Sequence, residues 1–301
     1  MTPFLMRALF VLCWWFGAVV SAHAQQQEPT TKILFLGNSF TFAAGSNVHK
    51  YAADSVTSEL PGERGVGGVP ALFKKFADES KLRYEVHVEA VGGKDLEFHY
   101  EKARELIAQG KWDAVVLQGY STEALPTARG GKPENFLHFA TLLENVIHQS
   151  RPATKIYLYE TWAYPFKTYP EDPADPLASR RVMSKDLQTG YESAFSMVGH
   201  FEAVAPVGDA YLKSAGKRTD IDLLSADHKH PSIAGSYLSA LVLFQTITGS
   251  GVTKLGPDEQ AARDLGLPRE QAVALQATAD ETVRTVRYTP QGVQTTDATH
   301  Q

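Results

Sequence analysis

The chain has 301 residues, with 29 Lys+Arg against 34 Asp+Glu and a formal net charge of −5, which excludes a nucleic-acid surface built on bulk positive charge. Its one cysteine, Cys13, lies in an N-terminal apolar stretch, so the rest of the chain has no thiol nucleophile, disulfide or cysteine metal site. That stretch, Ala8 to Val20, is too short to cross a bilayer comfortably and no second one follows, so no membrane span is expected.

Residues 1–24 read as a secretory signal: Arg7, then the apolar stretch, then the small-residue site Ala22-His23-Ala24. The expected mature protein starts near Gln25, carries a formal charge of −6 once Arg7 is removed, and is exported. Export without disulfides fits a bacterial periplasm or exterior. Removing residues 1–24 from 301 leaves 277, read as a single domain over 25–287 with a flexible C-terminal tail at 288–301.

The first strand is expected at 32–37 (KILFLG), and it stops at Gly37-Asn38-Ser39. A helix is expected between Gly45 and Glu59, then a glycine-rich loop at 61–70 and a second helix at 70–80. That loop neither follows a strand nor opens a helix in the order a dinucleotide fingerprint requires. Further buried strands are expected at 83–91, 112–118, 155–161 and 202–208. Helical spacing recurs after an Asp95 cap, through Leu96, Tyr100, Ala103 and Ile107, and again at 135–148, 179–199 and 232–248. Residues 255–287 carry one more helical pattern, to pack on the sheet or to bind a partner.

Alternating strands and helices imply a three-layer α/β/α fold around a five-stranded parallel sheet, with ligands beyond the carboxyl ends of the strands. Two long loops at that edge, 119–134 and 162–178, read as cleft walls. The second carries Trp162, Tyr164, Phe166 and Tyr169, and Trp162 and Tyr164 are candidate substrate-binding rings for stacking on a sugar or lining an acyl pocket.

Ser39 at a strand tip can present its hydroxyl and its own N–H to one space, as a nucleophile, or it can be a turn-former. In SADHKHPSIAG, Asp227 and His230 stand three apart ahead of a helix, where the carboxylate can fix the imidazole tautomer that accepts a serine proton. The same residues also suit a capped helix start with a solvated histidine. Gly92 or Gly93 offers an unobstructed backbone N–H, and Gln118 a side-chain amide, as donors to an oxyanion alongside the Ser39 N–H. A metal reading of Asp227, His228 and His230 lacks further ligands in sequence.

In this order the blocks resemble the SGNH hydrolases, also called GDSL-type esterases. Gly37-Asn38-Ser39 is similar to the family's Gly-Asp-Ser block, Gly93 to its second-block glycine, Gln118 to its third-block asparagine, and Asp227 with His230 to its final Asp-x-x-His. The likeness runs over roughly 32–248 and most resembles a subgroup with Gly-Asn-Ser-Phe-Thr. It implies a flavodoxin-like fold, no metal or organic cofactor, and Ser-His-Asp hydrolysis of a small-molecule or glycan ester, an acetyl ester of a carbohydrate first. The competing expectation is a phosphate- or flavin-binding protein that uses the helix expected after Ser39.

Overall fold

In a computed structural model that describes residues 29–289 and 292–295, KILFLG forms the central strand β1 (Thr31–Gly37), with Ile33 to Leu36 wholly buried. Helices cover both sheet faces, so the strand is apolar throughout rather than alternating. The segment read as an export signal lies outside the described residues.

In chain order there follow β2 (Thr57–Ser58), α1 (Gly68–Glu79), β3 (Tyr84–Ala90), α2 (Leu96–Lys102), α3 (Arg104–Ile107), β4 (Ala114–Leu117), α4 (Pro133–Ser150) and β5 (Lys155–Tyr159). The chain continues through α5 (Ala178–Val198), β6 (Ala203–Ala205), α6 (Val207–Lys217), α7 (Ile233–Thr248), α8 (Gln260–Asp264), α9 (Arg269–Thr285), β7 (Val286–Thr289) and β8 (Gly292–Thr295). The first six strands form one parallel sheet ordered β2-β3-β1-β4-β5-β6. Without β2 this is the flavodoxin-like order, and the sheet has six strands rather than the expected five because two residues of an edge segment pair with β3. The connections diverge around β1, so its carboxyl end opens at the switch point where ligands bind in such sheets.

Helix α1 packs on α7 on one side of the sheet, while α2 and α5 both pack on α4 on the other. The helix expected over 45–59 does not form. Two 3-10 turns, Asn47–Lys50 and Ala53–Ser55, take its place, because Ala52 adopts a left-handed conformation (φ 44°) between them. Helix α7 is buried on every side from Ala234 to Gln245, since α9 lies over it. Residues 255–287 therefore complete a helical layer on α7 rather than on the sheet.

Strand structure extends past 287: Val286 and Tyr288 are buried, Arg287 is exposed, and β7 pairs antiparallel with β8. The Tyr288 hydroxyl donates to Glu160 Oε1 at 2.8 Å. The expected tail at 288–301 thus begins as a hairpin, and residues 296–301 lie outside the described residues.

Glu160, wholly buried beyond β5, faces Asp209 in the first turn of α6, whose N–H donates to Glu160 Oε2 at 3.3 Å. Burial, then the charge of Asp209, raises the Glu160 carboxyl well above its ordinary range, and burial raises Asp209 to about 6. Carboxyls with raised folded-state pKa values bind more protons folded than unfolded, so their share of stability is present at low pH and falls as pH rises from about 4 through 6. Asp209→Asn is expected to flatten that fall and to raise stability at pH 8 by roughly 1–3 kcal/mol. Urea unfolding at pH 5 and pH 8 checks this, and a variant that loses stability in parallel with the parent contradicts it.

Candidate active site

At the end of β1 the chain must turn away within a few residues, and the side chains there are built for that turn. A Cβ on Gly37 would lie 2.2 Å from Thr41 Oγ1 and 2.8 Å from Gln118 Oε1, so only glycine lets these groups converge. Asn38 is buried. Its Oδ1 accepts the Phe40 N–H at 3.1 Å, and its Nδ2 donates to Lys94 O at 2.8 Å and Gly119 O at 3.2 Å. One amide thereby ties the turn after β1 to the loops after β3 and β4. An aspartate could accept from Phe40 but could not donate to two carbonyls. Sequence reasoning gave Asn38 no role, and its only signal was an amide where the resembled family has an acid.

The turn presents Ser39, partly exposed. Residues 39–46 form turns rather than the helix expected after the serine. The N–H groups of Ser39 and Gly93 donate to no protein group among the described residues. Gly93 has φ 72°, a conformation that favours glycine, and space stands open where a Cβ would be. Its rival Gly92 donates its N–H to Glu63 Oε1 at 3.2 Å. Of the two glycines, only Gly93 has a free donor.

Gln118 does not face this space. It is wholly buried, its Oε1 accepts from the Asn38 N–H at 3.1 Å and from Thr41 Oγ1 at 2.9 Å, and its Nε2 donates to Gly119 O. The expectation that its amide holds an oxyanion is corrected: the oxygen is taken by the Asn38 N–H and the Thr41 hydroxyl, the nitrogen donates to Gly119 O, and the wholly buried residue braces the serine turn. Gln118→Leu, which orphans the Asn38 N–H and the Thr41 hydroxyl, is expected to cost about 2–4 kcal/mol of stability. Denaturant unfolding measures it. A large loss of turnover at parental stability would instead identify a donor to substrate.

Asp227 and His230 lie in a tight loop between α6 and α7. The Ser225 N–H donates to His230 O at 2.8 Å, the His228 N–H donates to Ser225 O at 2.8 Å, and His228 is left-handed (φ 56°) at the tip. Ser232 caps α7, its Oγ accepting the Gly235 N–H at 3.0 Å, so Pro231 stands just before the helix. Within the loop, Asp227 Oδ1 accepts from the N–H groups of Lys229 (3.0 Å) and His230 (2.9 Å) and from Ser225 Oγ (3.0 Å). Its Oδ2 meets His230 Nδ1 at 2.5 Å. What burial Asp227 has raises its carboxyl, but the His230 side chain and these donors outweigh that and hold it well below the usual carboxylate range.

The far side of the ring completes the arrangement: His230 Nε2 lies 2.9 Å from Ser39 Oγ, across 191 residues of sequence. An Nδ1–H held on Asp227 leaves Nε2 as the acceptor facing the hydroxyl. The ligating atoms that a metal reading of this loop requires are thus engaged with each other and with Ser39, and His228 is exposed.

Trp162 and Tyr164 are not a substrate platform. Trp162 is 0% exposed, its ring stacked between Phe40 (4.0 Å between centroids) and Tyr211 (4.5 Å), and its Nε1 donates to Lys229 O at 3.1 Å. Tyr164 is buried, its hydroxyl 3.2 Å from Ser121 Oγ, and burial pushes it up to about 12. Aromatic residues at a strand end read alike in sequence whether they face a groove or a core, and here they anchor the histidine loop from beneath.

No protein-family model and no curated protein matches the chain. Among solved structures, a DUF4886 family protein from Bacteroides uniformis is 18% identical, covering 85% of this chain and 95% of its own, at a TM-score of 0.59. A candidate SGNH hydrolase from Slackia heliotrinireducens is 24% identical, covering 73% of this chain and 100% of its own, at a TM-score of 0.50. The psychrotrophic esterase EstA from a Pseudoalteromonas species is 15% identical, covering 73% and 97%, also at 0.50. At these identities the likeness is one of fold, and the fold is that of the SGNH hydrolases.

Proposed function

We propose that the protein is an exported serine hydrolase that cleaves a carboxylic ester, with the acetyl ester of a carbohydrate as its first substrate class. The observation that carries this reading is the chain of contacts from Asp227 Oδ2 through both nitrogens of His230 to Ser39 Oγ, with distances of 2.5 and 2.9 Å. Nucleophile, base and orienting acid come from opposite ends of the sequence and meet at the carboxyl end of β1, the geometry that serine activation needs.

In this mechanism Ser39 Oγ bonds to the ester carbonyl carbon while His230 Nε2 takes its proton. The tetrahedral oxyanion lies against the free N–H groups of Ser39 and Gly93. The C–O bond to the alcohol then breaks, and His230 returns the proton to the departing oxygen. Water, deprotonated by the same nitrogen, attacks the acyl-serine, and Ser39 leaves with the proton. Asp227 stays ionised throughout and stabilises the imidazolium. No step calls on a metal or an organic cofactor.

The rim around Ser39 supports a hydrophilic alcohol over a long acyl chain: Gly92, Gly93, Lys94, Ala226, Asp227 and His228 are all exposed, and none is a large apolar residue. Initial rates on 4-nitrophenyl acetate, octanoate and an acetylated sugar, with and without chelator, test the reading. Turnover that favours the acetyl esters and ignores chelator is expected. A protein inert to every ester, or one inactivated by chelator, contradicts it.

A further inference from the structure

We propose that Lys229 is a specificity-determining residue that receives a carboxylate carried by the substrate, so that the esters cleaved are acetyl esters of acidic sugars. The inference rests on the hydrolase reading above and names its substrate class. Lys229 immediately precedes His230, and its backbone is already pinned at both ends, N–H to Asp227 Oδ1 at 3.0 Å and C=O from Trp162 Nε1 at 3.1 Å. The side chain is therefore not needed to hold the loop.

Its ammonium instead lies over two aromatic rings at the carboxyl edge of the sheet, 5.3 Å from the Tyr120 centroid and 5.5 Å from that of Tyr164. Both distances fit cation–π attraction, which holds an ammonium without neutralising it. No carboxylate lies within 4.0 Å of it among the described residues. The nearby acids are spoken for. Asp227 uses both oxygens on its own loop, and Glu123 uses one on the Tyr120 N–H (3.1 Å) and the other on Asn135 (3.1 Å).

A second cation stands on the opposite bank in the same style. Lys94, next to Gly93, has its ammonium 5.2 Å from the Phe98 centroid, again with no ion-pair partner among the described residues, and its carbonyl is the one that Asn38 holds. In a chain of net charge −5, two ammonium groups without an ion-pair partner among the described residues thus stand beside the groups around Ser39, one next to Gly93 and one next to His230. A neutral ester gives the Lys229 ammonium nothing to meet, whereas a carboxylate on the sugar does.

Calorimetric binding to the Ser39→Ala protein tests this, with an O-acetylated methyl glucuronoside and the corresponding methyl glucoside as probes. The acid is expected to bind about tenfold more tightly than the neutral sugar, as for a charge pair in partly screened surroundings, with the preference shrinking as salt is added. Lys229→Met, which keeps the stem on the two rings, should erase most of the preference, and Lys229→Arg should keep it. No preference for the acid, including no binding of either sugar, overturns the proposal. So does a preference that survives both salt and Lys229→Met. Because the readout is binding, it is independent of hydrolysis; failure of the hydrolase reading would show instead as undiminished turnover by Ser39→Ala.

Discussion

Replacing Ser39 with alanine is expected to lower kcat/KM for an ester on the order of 10⁵- to 10⁶-fold while leaving the melting temperature close to that of the parent. The size follows from what one oxygen does in the proposed mechanism: it is both the attacking atom and the proton donor to His230 Nε2, which lies 2.9 Å away, so that mechanism has no other route to the acyl-enzyme. The fold is spared because Ser39 is partly exposed and, among the described residues, its hydroxyl hydrogen-bonds only to His230, whereas the turn itself is held by Asn38 and Gln118. Residual turnover would come from the backbone donors of Ser39 and Gly93, which the substitution keeps. His230→Ala should fall nearly as far, and the double variant no further than either single one, since the residues act as a unit. Additive losses would mean that serine and histidine work independently.

Trp162→Ala is the second large effect, and it is one of stability. The indole is wholly buried in a three-ring stack with Phe40 and Tyr211, so truncation leaves a cavity in the floor of the site and is expected to cost about 3–5 kcal/mol. Trp162→Phe keeps the stack but loses the N–H to Lys229 O, at about 1 kcal/mol. Because that bond anchors the residue before His230, the milder variant should also lower kcat with little change in KM. A substrate-stacking tryptophan predicts the reverse, a raised KM at parental stability. Urea denaturation together with steady-state kinetics separates the two.

The parts of this architecture that could be read in sequence are those where burial dictates residue type. Ile33 to Leu36 are buried on both faces and so form a continuous apolar run, and the spacing of Asp227 and His230 before a capped helix is local chemistry that needs no tertiary information. Failures came where tertiary contact decided the outcome. Thr57 and Ser58 become a strand only because β3 offers an edge, and Ala43 and Ala52 take left-handed conformations that alanine does not advertise. Gln118 points its amide at Gly119 O and the serine turn rather than at the pocket, a direction that depends on how β4 leaves the sheet. Trp162 and Tyr164 reversed roles for the same reason: their composition suited a wall, and the fold placed them beneath it. Sequence places Tyr288 in the tail although Val286, Arg287 and Tyr288 alternate buried and exposed; four residues are too few to reveal a period of two.

In the proposed mechanism the hydroxyl at the tip of β1 is activated by the imidazole that arrives from the far end of the chain. Labelling the intact protein with a fluorophosphonate and locating the adduct by mass spectrometry tests it most directly. A single adduct on the peptide containing Ser39, lost in His230→Ala, is the predicted result. Ester hydrolysis that continues with Ser39 unlabelled, or an adduct on another serine, would contradict it.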